Sequence, residues 1–239
     1  MKIHYYPLVN KMITAMKLKD KLLESYQENG EIFTKPFITI AREPGSGGAP
    51  IAKKLAQKLD FIFVDEQIID DISHSIKKSK AIIREIDEKS RTRINDIVHS
   101  ILNPDYVDNI TYLKELTRII LAYAHKGHVV ILGRGANFIC PFARGLHVNV
   151  VAPYAVRVNR AMEFEGFTRQ QAKKVIAKEE KERKDFVKQY FRKKLDAANS
   201  YDLTINTNYF TINRTVELIL EAFYRKFGPI TRYKALVTK

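Results

Sequence analysis

The stretch FITIAREPGSGG, residues 37–48, decides how this chain folds. Its first five residues, Phe37 to Ala41, form a short β-branched and aromatic run that is typical of a buried strand. Glycine and serine follow at residues 45–48, and apolar residues then recur at helical spacing from Ile51 to Leu59. This order predicts a strand, a tight glycine turn and a helix.

A glycine turn between a strand and a helix is suited to bind phosphate. Glycines let the backbone turn tightly with its N–H groups pointing inward, and the helix adds unpaired N–H groups and a positive dipole end. Pro50 suits the first helical position, where a missing N–H costs nothing. The pattern also allows a tight turn that holds no ligand. If the turn does bind phosphate, the binding residues are Gly45, Ser46, Gly47 and Gly48.

The turn lacks two reactive residues of the usual phosphate-loop pattern, which ends in Gly-Lys-Ser/Thr. Gly48 stands where the lysine belongs, and Ala49 and Pro50 stand where the magnesium-binding hydroxyl belongs. Arg42 ends the strand just before the loop, so its guanidinium group could reach the same phosphates. The alternative is a surface arginine that pairs with Glu43.

The rest of the chain alternates between strand and helix patterns. Several strand candidates are nearly continuous hydrophobic runs, which predicts a parallel sheet covered by helices on both faces. Ligands bind at the carboxyl ends of such strands, where Asp65 and Gly133-Arg134 follow two of them. Further strands are predicted at 61–64, 128–132, 146–151 and 202–206, and helices at 66–76, 79–102, 109–125 and 213–227.

The first 36 residues are predicted to form an extension to a domain that covers residues 37–239. Leu18, Leu22 and Tyr26 lie four residues apart, which predicts one helical face, and Asn29-Gly30 is a good helix stop. We expect this helix to pack on the domain or on a second copy of the chain.

Composition indicates a globular protein with anionic partners. The chain has 239 residues, of which 45% are hydrophobic, and a formal net charge of +14. Such a charge favours nucleotides, nucleic acid or acidic surfaces as partners. Half of the net charge lies between Arg157 and Lys194.

Neither a membrane span nor a metal site held by side chains is predicted. The sequence has no run of 18 or more apolar residues, and its N-terminus lacks a signal-peptide pattern. The lone Cys140 cannot form an internal disulfide, so we expect a reducing, cytoplasmic environment. The histidines lack the spacing of metal ligands.

Seven segments, taken in order, resemble the cytidylate-kinase-like family, a branch of the nucleoside monophosphate kinases. The resemblance covers roughly residues 37 to 222. The segments are Ile38–Gly48, Ala52–Ala56, Phe63–Asp65, Val130–Ala136, Arg157–Arg160, Lys181–Arg183 and Tyr201–Thr207.

This resemblance implies an α/β P-loop kinase fold, with a five-stranded parallel sheet flanked by helices and a mobile helical lid at roughly residues 157–194. It also implies transfer of the ATP γ-phosphoryl group, with Mg²⁺, to CMP or dCMP. In this branch the loop commonly lacks the lysine, and Arg42-Glu43 matches a pair that precedes it. Gly135 departs from the Gly-Arg-Asp of the kinases proper, and Pro50 leaves magnesium binding without its usual hydroxyl.

The resemblance also assigns roles, each with a plain structural alternative. The loop would hold the donor β-phosphate, with Arg42 supplying the missing charge. Gly133 and Arg134 would grip the acceptor phosphate, unless Arg134 is a structural strand-end residue. Asp65 would orient the acceptor or a magnesium-bound water, or cap the next helix. The lid arginines, which would contact the transferring phosphoryl group or else lie on solvated helices, are Arg157, Arg160 and Arg183.

Three functions stay open at this point. The first is an active nucleoside monophosphate kinase that binds ATP and an acceptor, as a monomer or a homodimer. The second is a nucleotide-binding regulatory protein without turnover, which the missing lysine and hydroxyl favour. The third is a nucleic-acid-binding module, which only the charge suggests, because no known nucleic-acid-binding signature accompanies it.

Overall fold

A computed structural model describes residues 32–101, 110–142 and 144–228 of the chain. The helix predicted around Leu18 to Tyr26 lies outside these residues. Within them, no helix is both long enough and apolar enough to cross a membrane.

The described residues form a five-stranded parallel sheet with the strand order β2-β3-β1-β4-β5. β1 pairs with β3 on one side and with β4 on the other, in a register that sets Ile40 beside Leu132 and Val148. After β1, the chain adds β2 and β3 on one side of that strand and then β4 and β5 on the other side. This reversal of direction opens a crevice at the carboxyl end of β1. The strands are β1 (Phe37–Arg42), β2 (Ile62–Val64), β3 (Val129–Leu132), β4 (Gly145–Val151) and β5 (Leu203–Asn206).

Helices cover both faces of this sheet, because successive side chains of each strand point to opposite faces. Ile38 and Ile40 of β1 pack with α1 and α9, whereas Phe37 packs on the other face with α4 and α5. The helices are α1 (Gly48–Leu59), α2 (Glu66–Ser73), α3 (Ile76–Arg84), α4 (Glu88–Ile101), α5 (Ile110–Lys126), α6 (Ala136–Ile139), α7 (Tyr154–Glu165), α8 (Arg169–Phe191) and α9 (Ile212–Phe227). The predicted α/β fold, a five-stranded parallel sheet flanked by helices, is confirmed.

The predicted lid region contains α7 and α8, which turn at Gly166 and pack through a small apolar cluster that includes Val158 and Ile176. The side chain of Thr168 caps α8, and Gln171 completes the capping box, so the start of this long helix is fixed locally.

Two local predictions about helices were wrong. The segment 79–102 was predicted as one helix, but α3 ends at Arg84 and α4 begins at Glu88, because the Asp87 carboxylate accepts a hydrogen bond from the Ser90 N–H at 2.9 Å. Pro50 is the third residue of α1 and not the first. Its missing N–H is still one of the four that have no partner within the helix.

The start of the described chain belongs to the core. Ile32 and Phe33, predicted as part of the extension, are buried in the same cluster as Phe37. The backbone carbonyl of Ile32 lies 2.5 Å from Nδ1 of His125 at the end of α5.

Candidate active site

The glycine turn holds a compact loop at the carboxyl end of β1. The Ser46 N–H and hydroxyl both donate to the Glu43 carbonyl, at 3.2 and 2.8 Å. Gly47 precedes α1 with a left-handed φ of 85°, and no side chain caps this helix end. Because the first N–H groups of a helix have no partner within it, this uncapped end offers several donors and a positive dipole end to an anion.

The side chain of Arg42 fills the volume that a lysine at position 48 would need. A Cβ atom on Gly48 would lie 2.4 Å from the Arg42 Cβ and 2.9 Å from its Cγ. The Arg42 side chain, 8% exposed, then reaches Glu66, the first residue of α2, with Nη2 2.5 Å from Oε1. The alternative pairing of Arg42 with Glu43 is therefore not the one found.

Arg134 lies across the crevice from Arg42 and is held by acidic and aromatic neighbours. Its Nη2 pairs with the Asp70 carboxylate, and its guanidinium carbon lies 5.8 Å from the centre of the Phe186 ring. Asp70 also accepts the Tyr112 hydroxyl at 2.7 Å. Burial and this carboxylate raise the pKa of the Tyr112 hydroxyl. The Nε of Arg134 finds no acceptor among the described residues.

Arg183 brings α8 onto the strand that carries Arg42. Its Nη1 donates to the Arg42 carbonyl at 3.2 Å, and its Nη2 to the Glu179 carboxylate at 2.9 Å. Burial and then the nearby charge of Arg42 lower the pKa of Arg183. Burial is the larger cause, and both causes disfavour the charged guanidinium group, so an anion placed beside it would be stabilised.

A cavity of about 460 Å³ opens between these arginines. Arg42, Arg134 and Arg183 line it together with Glu66 and the apolar wall of α8 at Phe186. Three arginines that lie far apart in the sequence thus line one cavity.

Arg157 does not line this cavity. It is 5% exposed, and its Nε donates to the Ala152 carbonyl at 3.0 Å. Its guanidinium also lies between Glu43, at 3.5 Å, and Glu180 of α8, at 3.4 Å. In this structure Arg157 therefore joins the loop to the lid helices.

Arg160 contacts the back of the loop. Its Nη1 donates to the Ser46 carbonyl at 3.1 Å and to the Thr207 hydroxyl at 2.9 Å, and its Nη2 donates to the Thr207 carbonyl at 2.8 Å. The Thr207 hydroxyl itself donates to the Ser46 carbonyl at 2.7 Å. The end of β5, the loop and α7 are thereby tied together.

Asp65 caps α2, because its Oδ1 accepts the Ile68 N–H at 2.9 Å. Asp65 is therefore the cap of α2, which was one of its two expected roles. Its contact with an acceptor or a magnesium-bound water stays a prediction. Gly133, with φ of 84°, lies under the Arg42–Glu66 pair, and a Cβ there would meet Arg42 Nη1 at 2.4 Å.

Residues 37–209 match the model of the cytidylate kinase-like family. This chain belongs to the cytidylate kinase-like family. One curated relative is the cytidylate kinase of Staphylothermus marinus, which is 26% identical to this chain over 191 residues. The match covers 80% of this chain and 97% of that protein. The cytidylate kinase of Ignicoccus hospitalis is 24% identical over 185 residues, 76% of this chain and 95% of that protein.

Two other matches extend the comparison. The uronate isomerase of Corynebacterium glutamicum is 29% identical over 119 residues, which are 50% of this chain but only 23% of that protein. A solved structure of an uncharacterized protein from Eubacterium ventriosum shares the fold, with a TM-score of 0.55 and 21% identity, and the match covers 79% of this chain and 98% of that one.

Packing explains two of the points at which this family member departs from the kinases proper. The lysine is replaced by Gly48 because Arg42 fills its space. At Gly135, which replaces the aspartate, a Cβ atom would lie 2.6 Å from the Phe191 ring. Neither position accepts the usual side chain without rearrangement.

Four site residues of this cytidylate kinase-like chain escaped the sequence analysis as functional candidates. Glu66 and Asp70 follow Asp65 and lie four residues apart on α2, a spacing that sets two carboxylates on one helix face. That spacing was the signal that could have found them. Glu43 and Thr207 act through contacts with distant residues, which no local pattern announces.

Proposed function

We propose that this protein is a nucleotide kinase that transfers the γ-phosphoryl group of ATP to CMP or dCMP. One observation carries the proposal: an uncapped helix end and three arginines lie at the same edge of the sheet, and the arginines line one cavity. Phosphoryl transfer asks mainly for two nucleotides held in line and for neutralised oxygens, which donors and guanidinium groups supply.

Each residue then has a role. The N–H groups of Gly45, Gly47 and Gly48 bind the donor β-phosphate, while the Ser46 N–H donates to the Glu43 carbonyl and closes the loop. Arg42 and Arg183 neutralise the transferring phosphoryl group, and Arg134 with Gly133 binds the acceptor phosphate. Arg160 holds the loop against Thr207. Arg157, whose guanidinium is already occupied on several sides, positions the loop and α8 and does not touch the phosphates.

Magnesium fits this site as a companion of ATP. The Ser46 hydroxyl is used within the loop and the Glu43 carboxylate accepts the Ala152 N–H at 2.9 Å, so neither is free as a ligand. The ion prefers phosphate oxygens and water, with one or two carboxylates at most. Asp65, which caps α2 through Oδ1, would help to hold the ion. When bound, the ion neutralises charge on the phosphates.

The choice of cytidine nucleotides rests on the relatives. Two of them are cytidylate kinases that match most of this chain at 24 and 26% identity. A cytoplasmic location and the absence of a nucleic-acid partner stay predictions from the sequence.

A coupled assay of ATP consumption against a panel of nucleoside monophosphates tests the proposal. We expect turnover with CMP or dCMP, and we expect Arg42→Ala to lower kcat/KM by about 10³-fold, the size found for arginines that stabilise a transferring phosphoryl group. Arg225→Ala, at an arginine 83% exposed on α9, is the matched control and should leave turnover unchanged.

Two outcomes would reject the proposal that this protein is a nucleotide kinase. ATP binding without turnover on any acceptor would favour a regulatory nucleotide-binding protein. Tight, salt-sensitive binding of oligonucleotides without ATP binding would favour a nucleic-acid module.

A further inference from the structure

Glu66 places a carboxylate of the protein itself at the phosphate-binding edge of the sheet. Its Oε1 lies 2.5 Å from Nη2 of the largely buried Arg42. A Cβ on Gly133 would lie 3.2 Å from Glu66 Oε2, so the ion pair crosses the carboxyl end of β3 at the floor of the cavity. An oxyanion that contacts Arg42 from the cavity would therefore lie beside this carboxylate.

The other two arginines of the cavity also act on Glu66. Burial alone would raise its pKa, but the charges of Arg42, Arg183 and Arg134 outweigh burial, and the pKa of Glu66 is lowered. The carboxylate is therefore held ionised in the field of three guanidinium groups. This is the electrostatic position that a phosphate group would take.

Glu66 and Asp70 differ in how firmly they are held. Asp70 binds Arg134 and also accepts the Tyr112 hydroxyl, so its two oxygens have separate partners. Glu66 has Arg42 as its hydrogen-bond partner within the described part of the chain, and its side chain is 37% exposed. Glu66 can thus turn toward solvent once an anion takes its place at Arg42, whereas the second partner of Asp70 holds that carboxylate in place.

We infer that Glu66 is a displaceable counter-ion, which occupies the oxyanion position at Arg42 in the empty site and leaves it when the phosphate of a nucleotide binds. Only the identity of the oxyanion as a nucleotide phosphate rests on the proposed function. While the carboxylate remains, it repels an incoming dianion and uses an Arg42 donor that the phosphate needs. Its presence weakens anion binding but keeps the buried guanidinium paired when the site is empty.

Titration calorimetry with inorganic phosphate at constant ionic strength tests this role. We expect Glu66→Gln, which keeps the shape and removes the charge, to tighten phosphate binding about tenfold, as expected from loss of one nearby like charge. Glu182→Gln is the matched control. Glu182 lines the same cavity, but its ion-pair partner among the described residues is Lys178, at 3.9 Å, and no arginine of the cavity. We expect a change of less than about twofold there, because exposed charges are well screened.

Weaker or unchanged phosphate binding in Glu66→Gln would overturn the inference, as would equal tightening in Glu182→Gln. A crystal structure of the wild-type protein with inorganic phosphate gives a second test that needs no variant. Phosphate on Arg42 with the Glu66 carboxylate moved away supports the inference, and phosphate bound beside an intact Arg42–Glu66 pair refutes it. Neither measurement requires kinase turnover, so the proposed function can fail separately.

Discussion

Arg42 and Gly48 compete for one small volume at the end of β1. The side chain of Arg42 passes over Gly48, and even a methyl group on Gly48 would come within 2.4 Å of it. At the scale of residues, the missing lysine of the loop is therefore a packing consequence of Arg42. The usual loop pattern places a positive charge at the start of the helix, whereas in this chain Arg42 carries it at the end of the strand.

We predict that restoring the lysine by Gly48→Lys lowers the free energy of unfolding by about 2 kcal/mol, because it overpacks this contact, and does not raise turnover. Urea denaturation and the kinase assay measure both effects. Ala49→Lys, at the exposed neighbouring position, is the control for an added lysine. Arg42→Gly combined with Gly48→Lys should recover stability relative to Gly48→Lys alone; simple additivity of the two changes would contradict the prediction.

His147 is a second residue whose behaviour follows from its surroundings. It is fully buried on β4, its Nδ1 lies 2.6 Å from the Thr39 hydroxyl, and its Nε2 has no partner among the described residues. Burial lowers its pKa to about 4; Asp202 opposes this shift and Lys226 adds to it. Folding therefore favours the neutral ring.

Between about pH 6.5 and about pH 4, the unfolded chain binds the proton of His147 and the folded chain does not. Stability should therefore fall as the pH is lowered through this window, by about 3 kcal/mol in total from this group. Urea denaturation at several pH values measures how steeply the free energy of unfolding depends on pH. We expect a weaker dependence in His147→Asn and no change in the control His74→Asn, whose side chain is exposed. An equal pH dependence in wild type and His147→Asn would contradict the prediction.

At the scale of elements, Arg157 connects three parts of the chain. Its guanidinium contacts Glu43 of the loop, the Ala152 carbonyl before α7, and Glu180 of α8. Arg157 thus helps to fix α7 and α8 to the glycine turn.

Replacing Arg157 by methionine separates a positioning role from direct contact with phosphate. We predict that Arg157→Met lowers the free energy of unfolding by about 3 kcal/mol, because it removes the cation paired with the Glu43 carboxylate and leaves the Ala152 carbonyl without its guanidinium donor. Arg225→Met, at an exposed ion pair, should change it by less than about 0.5 kcal/mol. A variant that kept full stability but lost turnover would restore the lid-arginine role that the sequence suggested.

At the scale of the whole molecule, the core extends upstream of β1. Ile32 and Phe33 are buried with Phe37 and the apolar faces of α4 and α5. The boundary of the folded domain, placed by sequence after residue 36, is therefore expected to lie nearer residue 32.

Two truncations test that boundary. A chain that begins at Ile32 keeps both buried side chains and serves as the reference. A chain that begins at Phe37 should lose about 4 kcal/mol or more, since it lacks two large buried side chains. Equal stability of the two truncated chains would show that residues 32–36 do not contribute.

Local pattern carried enough information for the architecture, and it predicted a candidate site at the carboxyl ends of the strands. The β-branched run ending at Ala41 and the glycines after it predicted the strand, the turn and the helix. The same reasoning joined α3 and α4 into one helix, because helical periodicity is unbroken where only the side chain of Asp87 starts a new helix.

The sequence by itself determined the strand–helix order, and with it which strand ends meet, because hydrophobic period and turn chemistry act between near neighbours along the chain. Tertiary structure alone decided the partners of the arginines. Arg42 meets Glu66 across 24 residues, Arg160 meets Thr207 across 47, and Arg134 meets Asp70 across 64. Such long-range contacts depend on how the strands and helices pack in space, and no spacing along the chain encodes that packing.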